Sequence, residues 1–208
     1  MLTLLLATRN RKKAQELRRL LEDLPVHLPT LEEFPDIPPV EEDGATFRAN
    51  AIKKAVETSR HTILPVLAED SGLEVRALGG RPGVRSARFA GASQDDHANV
   101  AKLLRSMKKI PKSQRQARFI CCMTLAAGGR AIRTFQGIGP GSIALRAAGR
   151  SGFGYDPVFI PRGYAKAIAQ LGPRLKDTLS HRSKAAMKFK TWLKQALKNV
   201  LEVEKLLV

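Results

Sequence analysis

The sequence contains few of the residues on which several common kinds of site depend. Its 208 residues include two cysteines and one tryptophan, and aromatic residues make up 5% of the chain. Cys121 and Cys122 are adjacent within an apolar run, so we expect reduced, buried thiols rather than a disulfide framework, which favours the cytosol. No His/Cys cluster has metal-ligand spacing, and neither a GxSxG motif nor a cysteine-nucleophile motif is present. These absences exclude several classes of hydrolase and zinc protein.

Long apolar runs are also missing. No run approaches the roughly 18 residues that a transmembrane helix requires. The apolar segment 1–8 has no basic region in front of it and is too short for a signal peptide. We therefore predict a first β-strand at 2–7 in a cytoplasmic protein with no membrane partner.

Acidic residues are scarce in the second half of the chain. Residues 1–100 contain 14 Lys/Arg and 15 Asp/Glu, whereas residues 101–208 contain 22 and 4, so the second half carries the whole excess of the +17 net charge. This asymmetry is typical of nucleic-acid binding, or of a solvated basic surface that attracts polyanions. Base-stacking aromatic residues are few, so nucleic acid is not expected as the main partner. A nucleic-acid-binding protein remains the alternative of another class.

Hydrophobic periodicity predicts alternating strands and helices. We expect helices at 12–21, 46–60, 94–107 and at the C-terminal end, and strands at 2–7, 62–68, 73–75, 117–127, 130–137 and 157–160. The apolar stripe of the last helix is Ala186, Phe189, Leu193, Leu197 and Val200. Strands that alternate with helices at both ends, with hairpins between, indicate an α/β fold with a mixed sheet. The length fits one large domain or two closely joined lobes.

Two adjacent carboxylates, Glu69 and Asp70, follow the strand predicted at 62–68 and precede a glycine- and proline-rich turn region. Carboxylates at the mouth of a strand suit a hard cation such as Mg²⁺. Capping of the turn is the alternative. The acidic segment 41–43 precedes a predicted helix, where it either favours the helix dipole or adds a glutamate to the same ion.

Three further segments indicate anion or base binding. Residues 8–13, between the first strand and helix, form an anion site or an ordinary helix cap. The loop 151–159 offers two aromatic rings to a planar base or packs them in the core, and its Asp156 could accept a hydrogen bond from a base. Ser180 is a predicted N-cap, followed by two cations that oppose the helix dipole unless an anion lies nearby.

Together these segments resemble the inosine triphosphate pyrophosphatase family, which acts on noncanonical purine nucleoside triphosphates. The most specific motifs are AEDSGL at 68–73 with GGRPGVRSAR at 79–88, and SGFGYDP at 151–157 with SHRSKA at 180–185. The resemblance covers essentially the whole chain. It implies a single domain of two lobes at 1–208, an elongated α/β fold with a central mixed sheet flanked by helices, and a homodimer.

The resemblance also implies an activity. The enzyme would be a Mg²⁺-dependent hydrolase that cuts inosine, deoxyinosine and xanthosine triphosphates between the α and β phosphates. The products would be the monophosphate and pyrophosphate, and the role would be cleansing of the nucleotide pool. A pyrophosphatase for other modified nucleotides is the second alternative.

Carried over residue by residue, the resemblance makes Asp70 the proton acceptor and a metal ligand. Glu41, with Glu42 beside it, matches the acidic segment before the TFxxNA helix, and Glu69 completes the predicted metal set. Glu69 stands where many members have aspartate, and its longer arm could shift the metal. The predicted substrate-binding residues are Thr8, Asn10, Lys13, Ser71, Phe153, Gly154, Tyr155, Asp156, Lys176, His181 and Arg182.

The predicted mechanism divides the work among these residues. Asp70 or Glu69 orients a water, while Lys13 and Arg182 hold the phosphates in line. Lys176 donates a hydrogen bond to a keto oxygen at position 6 of the purine. An adenine amino group would leave that buried donor unpaired, at a cost on the order of 1–3 kcal/mol.

Overall fold

The structure, a computed structural model, describes residues 2–198 as an α/β fold, which confirms the predicted class. The helices are α1 (Arg11–Leu20), α2 (Phe47–Ser59), α3 (Asp96–Ser106), α4 (Ile168–Leu171), α5 (Pro173–Leu179) and α6 (His181–Ala196). The strands are β1 (Leu2–Thr3), β2 (Leu5–Leu6), β3 (Val26–His27), β4 (Val66–Val75), β5 (Gln116–Ala127), β6 (Arg130–Ile143) and β7 (Phe159–Pro161). Among the helices of this part of the chain, none is long and apolar enough to cross a membrane.

The main sheet is mixed, as predicted. Its strand order is β2-β4-β5-β6-β7, with β2 and β4 parallel and β6 and β7 antiparallel. A separate parallel pair joins β1 and β3. Gly128 and Gly129, with φ of 53° and 76°, form the turn between β5 and β6. A two-residue turn with positive φ at both positions joins antiparallel neighbours, and glycine adopts that conformation with the least strain.

Strand β4 differs from the prediction at the acidic pair. We expected a strand at 62–68, a turn, and a short strand at 73–75, but one strand runs from Val66 to Val75. It begins directly after Pro65, which has no N–H for a ladder. Strand β2 pairs only with Val66 and Leu67, so it is the long neighbouring strand β5 that overrides the turn propensity of the Ser-Gly pair. The acidic pair therefore lies within a strand and not at its mouth.

The described chain divides into two compact units. The first unit comprises residues 2–70, 121–137 and 184–198, and the second comprises 71–120 and 138–183.

In the first unit, neighbouring residues of β4 pack into different clusters. Leu67 belongs to a cluster with Leu17 of α1 and Phe189 of α6. Ala68 belongs to another cluster, with Ala55 of α2. Successive side chains of a strand point to opposite faces, so α1 and α6 cover one face of β4 and α2 covers the other.

The second unit has its own core. Leu73 of β4 and Leu103 of α3 pack in one cluster with Tyr155 and Phe159. The ring of Phe119 on β5 lies in the same cluster, with its centroid 4.6 Å from that of Phe159. The aromatic loop, residues 151–156, is therefore anchored to this core by the buried side chain of Tyr155.

The predicted helices are present, with ends close to those expected. Thr46 accepts a hydrogen bond from Ala49 N at 3.1 Å, and Ser180 accepts one from Ser183 N at 3.0 Å, which confirms Ser180 as an N-cap. Helices α4 and α5 were not predicted, because four and seven residues give too few turns for a periodic pattern. Most of the predicted apolar stripe of α6 is buried or packs on the core, while Val200 lies outside the described residues.

Candidate active site

The acidic pair of β4 is buried, and its two members face different elements. Glu69 and Asp70 have relative exposures of 4% and 5%. Glu69 lies on the face covered by α1, where Lys13 Nζ is 3.3 Å from its Oε1 and Cys121 Sγ is 3.3 Å from its Oε2. Asp70 lies on the face covered by α2, where Asn50 Nδ2 donates a 2.9 Å hydrogen bond to its Oδ2. Residues adjacent in sequence thus have different partners.

Asp70 lies in a charged environment that favours its protonated form. Burial raises the pKa of the Asp70 carboxyl above its ordinary value, and the negative charge of Glu42 raises it further. Lys54, Lys13 and the Asn50 hydrogen bond lower the pKa without outweighing burial. A buried carboxylate with a raised pKa, between a second acid and two lysines, is well suited to accept a proton.

The acidic segment contributes one glutamate to this environment. Glu42 forms an ion pair with Lys54, which lies one helical turn from Asn50 on α2. Glu41 is exposed, and its charge acts on Lys53. The electrostatics of Asp70 therefore favour Glu42 over Glu41 as its acidic neighbour. The predicted metal ligands Glu41 and Glu69 remain predictions.

The acidic side chains around Asp70 determine whether this site can hold a cation. Among residues 2–198, no group of three or more His, Cys, Asp and Glu side chains is placed to hold a metal ion. Magnesium, however, is commonly bound by one or two carboxylates, with waters and substrate phosphates as the other ligands. Asp70 and Glu42 are hard oxygen donors whose charges oppose each other, and a divalent cation would relieve that repulsion. The pair fits an ion that the substrate helps to bind.

The start of α1 confirms one of the two alternatives for residues 8–13. Asn10 is the N-cap and accepts a hydrogen bond from Lys13 N at 3.1 Å, and its own N–H donates to Thr8 Oγ1 at 3.1 Å. A pocket of about 150 Å³ opens beside this turn, with Thr8, Asn10 and Arg11 in its lining. The capping role is thus observed, whereas phosphate binding remains a prediction.

The second unit contains the aromatic loop, and Asp156 organises it. Asp156 Oδ2 accepts hydrogen bonds from Phe153 N at 2.9 Å and from Lys176 Nζ at 2.6 Å, and both charged side chains are buried. Gly152 has φ +83°, and a Cβ there would lie 2.1 Å from Asp156 Oδ2. Glycine is therefore required at this point of the loop, and the predicted direct contact of Asp156 with a base remains untested.

Two cations lie against the ring of Phe153. Lys176 Nζ is 4.4 Å from the ring centroid and Arg182 Cζ is 5.6 Å from it. Arg182 also donates a 3.1 Å hydrogen bond to Ser71 Oγ. Lys176 and Arg182 thus lie against the Phe153 ring, and Ser71 is joined to them through Arg182, a combination that suits an anionic ligand with a flat base.

His181 is held by aromatic stacking. Its ring lies parallel to that of Phe119, at 4.6 Å between centroids and 9° between planes. The N–H of His181 lies 3.3 Å from where a Cβ at Gly139 would stand, so only a small residue fits there. Phe119 was missed from the sequence, because a buried phenylalanine on a strand is indistinguishable from any other core residue.

Two other missed residues carried a readable signal. Asn50 and Lys54 lie four positions apart on the predicted helix at 46–60, which places them on the same side of it. A buried asparagine, 1% exposed, needs partners for its amide, and Asp70 and Gly44 N supply them. That spacing marks the side of the helix that faces the carboxylates.

Comparison with known proteins places this arrangement in a family. The chain belongs to the Ham1 family, whose model matches residues 4–192. The dITP/XTP pyrophosphatase of Geobacillus kaustophilus is 45% identical over 185 residues, which cover 89% of this chain and 91% of that protein. That of Rhodopirellula baltica is 46% identical over 190 residues, covering 91% of each. The resemblance identified from the motifs is confirmed.

Solved structures agree with this family assignment. A HAM1 protein from Coxiella burnetii has a TM-score of 0.85 and 37% identity, and the match covers 94% of this chain and all of that one. The nucleoside-triphosphatase / dITP/XTP pyrophosphatase of Mycobacterium abscessus has a TM-score of 0.74 and 44% identity, covering 90% of this chain and 98% of the other.

Proposed function

We propose that this chain hydrolyses noncanonical purine nucleoside triphosphates, such as those of inosine, deoxyinosine and xanthosine, to the monophosphate and pyrophosphate. Its place in the Ham1 family, with relatives of about 45% identity named dITP/XTP pyrophosphatase, makes it a nucleoside triphosphate pyrophosphatase. Removal of such nucleotides from the pool is the role that follows. The observation that supports the chemistry best is the buried Asp70, flanked by Glu42, Lys13 and Lys54.

Mg²⁺ is the proposed cofactor, with Asp70 and Glu42 as its protein ligands. When bound, the ion supplies a positive charge that offsets the charge of the phosphates. The preference for Glu42 over Glu41 and Glu69 rests on the charge that Glu42 exerts on Asp70 and on the opposite orientation of Glu69 in the strand. Glu69 has a separate task, to hold the Lys13 ammonium.

In the proposed reaction, a water attacks the α-phosphorus. The water oxygen bonds to phosphorus, its proton passes to the Asp70 carboxylate, and the bond from the α-phosphorus to the bridging oxygen breaks. Pyrophosphate leaves with that electron pair. Asn50 fixes the orientation of the Asp70 carboxylate through its 2.9 Å hydrogen bond, and Lys13 holds the phosphates. The phosphate contact of Arg182 stays a prediction.

Base selection is assigned to the second unit. Lys176 is oriented by Asp156 at 2.6 Å, so its ammonium has a fixed direction in which to donate to an oxygen at position 6 of the purine. Adenine presents an amino group at that position, which cannot accept the bond. A buried donor that loses its partner disfavours the wrong substrate, as in other sites built around a hydrogen bond.

The test is turnover of a panel of triphosphates by the wild type and by Asp70→Asn. We expect the wild type to release pyrophosphate, and not phosphate, from inosine and xanthosine triphosphates, with much weaker activity on adenosine triphosphate. Asp70→Asn should lose at least about 10²-fold in kcat, the scale of a removed general base, and still bind nucleotide.

Asp43→Asn is the matched control, since Asp43 is an exposed acid of the same segment, paired with Lys53. It should keep near wild-type kcat. Normal turnover by Asp70→Asn would overturn the assignment of the base, and activity confined to pyrimidine or other modified triphosphates would overturn the substrate class.

A further inference from the structure

The aromatic loop is tied to a helix far away in sequence. Gly154 N donates a hydrogen bond of 2.9 Å to the side-chain Oδ2 of Asp96, 58 residues earlier at the first position of α3. This N–H belongs to the peptide group that follows Phe153. Its direction therefore helps to fix the backbone from which the Phe153 ring projects.

The remaining loop contacts lie on either side of this peptide. Phe153 N and Lys176 are held by Asp156, and Tyr155 Oη donates a 2.8 Å hydrogen bond to Ser86 O. The N–H of Gly154, between these two anchored residues, is held by Asp96. Gly154 itself has φ +60°, and because glycine adopts positive and negative φ about equally well, the residue does not by itself hold the peptide in place. A fixed hydrogen-bond acceptor at this point holds the loop in one backbone conformation.

Asp96 is available for this contact because its neighbour caps the helix. Asp95 Oδ1 accepts from His97 N at 2.7 Å and from Ala98 N at 3.1 Å, and so acts as the N-cap of α3. A carboxylate in the first turn of a helix is stabilised by the dipole and is positioned by a rigid element. Its charge also reaches Tyr155, where burial first and Asp96 second raise the pKa of the phenol.

We propose that Asp96 is a positioning residue for base selection, which it controls by holding the Gly154 peptide and thereby the Phe153 ring and its cations. This role works through the loop backbone, without contact of Asp96 with phosphate or the attacking water as part of the proposal. The inference rests on the proposed function, which supplies the base and the ring that recognises it. None of the sequence motifs assigned a role to Asp96.

The test compares Asp96→Ala, Asp96→Asn and Asp95→Ala with the wild type. Asp96→Ala should lower the ratio of kcat/KM for inosine over adenosine triphosphate by about tenfold, the effect of losing one charge-assisted hydrogen bond. Asp96→Asn keeps a side-chain oxygen as acceptor and should restore most of that ratio. Asp95→Ala, which removes the cap of the same helix, should lower the melting temperature and leave the ratio unchanged.

Ligand binding separates positioning from general damage. Asp96→Ala should weaken the binding of inosine monophosphate, which carries the base, and leave the binding of pyrophosphate unaltered. The proposal is overturned if Asp96→Ala has the wild-type selectivity, or if Asp95→Ala loses selectivity to the same extent. Failure of the wild type to hydrolyse inosine triphosphate would instead overturn the proposed function, which the same assays record separately.

Discussion

The fold raises the free energy of the ionised form of the Asp70 carboxyl. Burial and Glu42 both oppose ionisation of the carboxyl, and the hydrogen bond from Asn50 and the two lysines compensate only in part. Such a residue is kept for chemistry and at the expense of stability.

We therefore expect Asp70→Asn to stabilise the metal-free protein. The pKa of the Asp70 carboxyl is raised in the fold, so below its unfolded value, 3.8, both states are protonated and no penalty exists. The penalty appears as the pH rises through the folded pKa. In a buffer that contains a metal chelator, the free energy of unfolding at pH 7.5 should be about 1 kcal/mol higher for the variant than for the wild type, as expected when a residue kept for activity is replaced.

Glu69→Gln is the matched comparison for this measurement. It removes one partner of the buried Lys13–Glu69 ion pair, so it should lower the free energy of unfolding at the same pH. Denaturant titration measures both variants. An Asp70→Asn protein that is less stable than wild type at pH 7.5 would contradict this account of its charge.

At this scale the sequence identified residue types better than partners. The motifs selected Asp70, Lys13 and the aromatic loop as candidates, whose roles stay predictions, while the cap alternative for Asn10 is observed. The choice between Glu41 and Glu42 could not be made, because it depends on which side chain of an irregular segment turns towards β4. The partnership of Asp96 with Gly154 was invisible as well, since nothing local links two residues 58 positions apart.

Among the elements, α6 is fixed to the end of α1 by a charged cluster. Asp23 lies 2.5 Å from Lys190 Nζ and 2.8 Å from Lys194 Nζ, and the lysines lower the pKa of the Asp23 carboxyl from 3.8 to about 2. Asp23 and Lys194 are exposed and Lys190 is partly exposed, so solvent screens the interaction.

Asp23→Asn should therefore cost little and only above acid pH. A carboxyl with a depressed folded pKa stabilises the fold above its unfolded value of 3.8 and loses that contribution as the pH falls towards 2. We expect a loss of at most about 1 kcal/mol at pH 7, which shrinks when the pH is lowered to 3. Thermal unfolding at the two values measures it, with the neighbouring exposed Glu22→Gln as control. A deficit of equal size at both pH values would refute the assignment.

Element boundaries show what local sequence determines. The caps Thr46 and Ser180 were readable, because a side-chain oxygen before an apolar pattern has a defined local task. The continuity of β4 was not, because Ser71 and Gly72 by themselves favour a turn. Their extended conformation depends on the neighbouring strand β5, which lies elsewhere in the sequence.

The molecule as a whole carries a formal net charge of +17, and its proposed substrate is a polyanion. Such a charge draws anions from a distance and raises their encounter rate. It also makes association sensitive to the screening length of the solution.

The kcat/KM for inosine triphosphate should fall on the order of tenfold as the salt is raised from about 50 to 300 mM, at constant free Mg²⁺. The value of kcat at saturating substrate should change much less. Steady-state assays at neutral pH and increasing concentrations of a salt that is not a chaotrope measure both kcat/KM and kcat. Sucrose solutions of equal viscosity are the control. An unchanged kcat/KM would show that the basic second half serves another purpose, and tight duplex binding with a steep salt slope would favour nucleic acid.

The alternation of side chains along β4 determines how a change at position 69 affects position 70. The Glu69 side chain extends towards Lys13 and Cys121, on the side of the sheet that α1 covers. Asp70 and Asn50 lie on the reverse side. The two positions nevertheless share Lys13, which pairs with Glu69 and lowers the pKa of the Asp70 carboxyl, so a change in the length of residue 69 reaches the proposed general base through the position of one ammonium group.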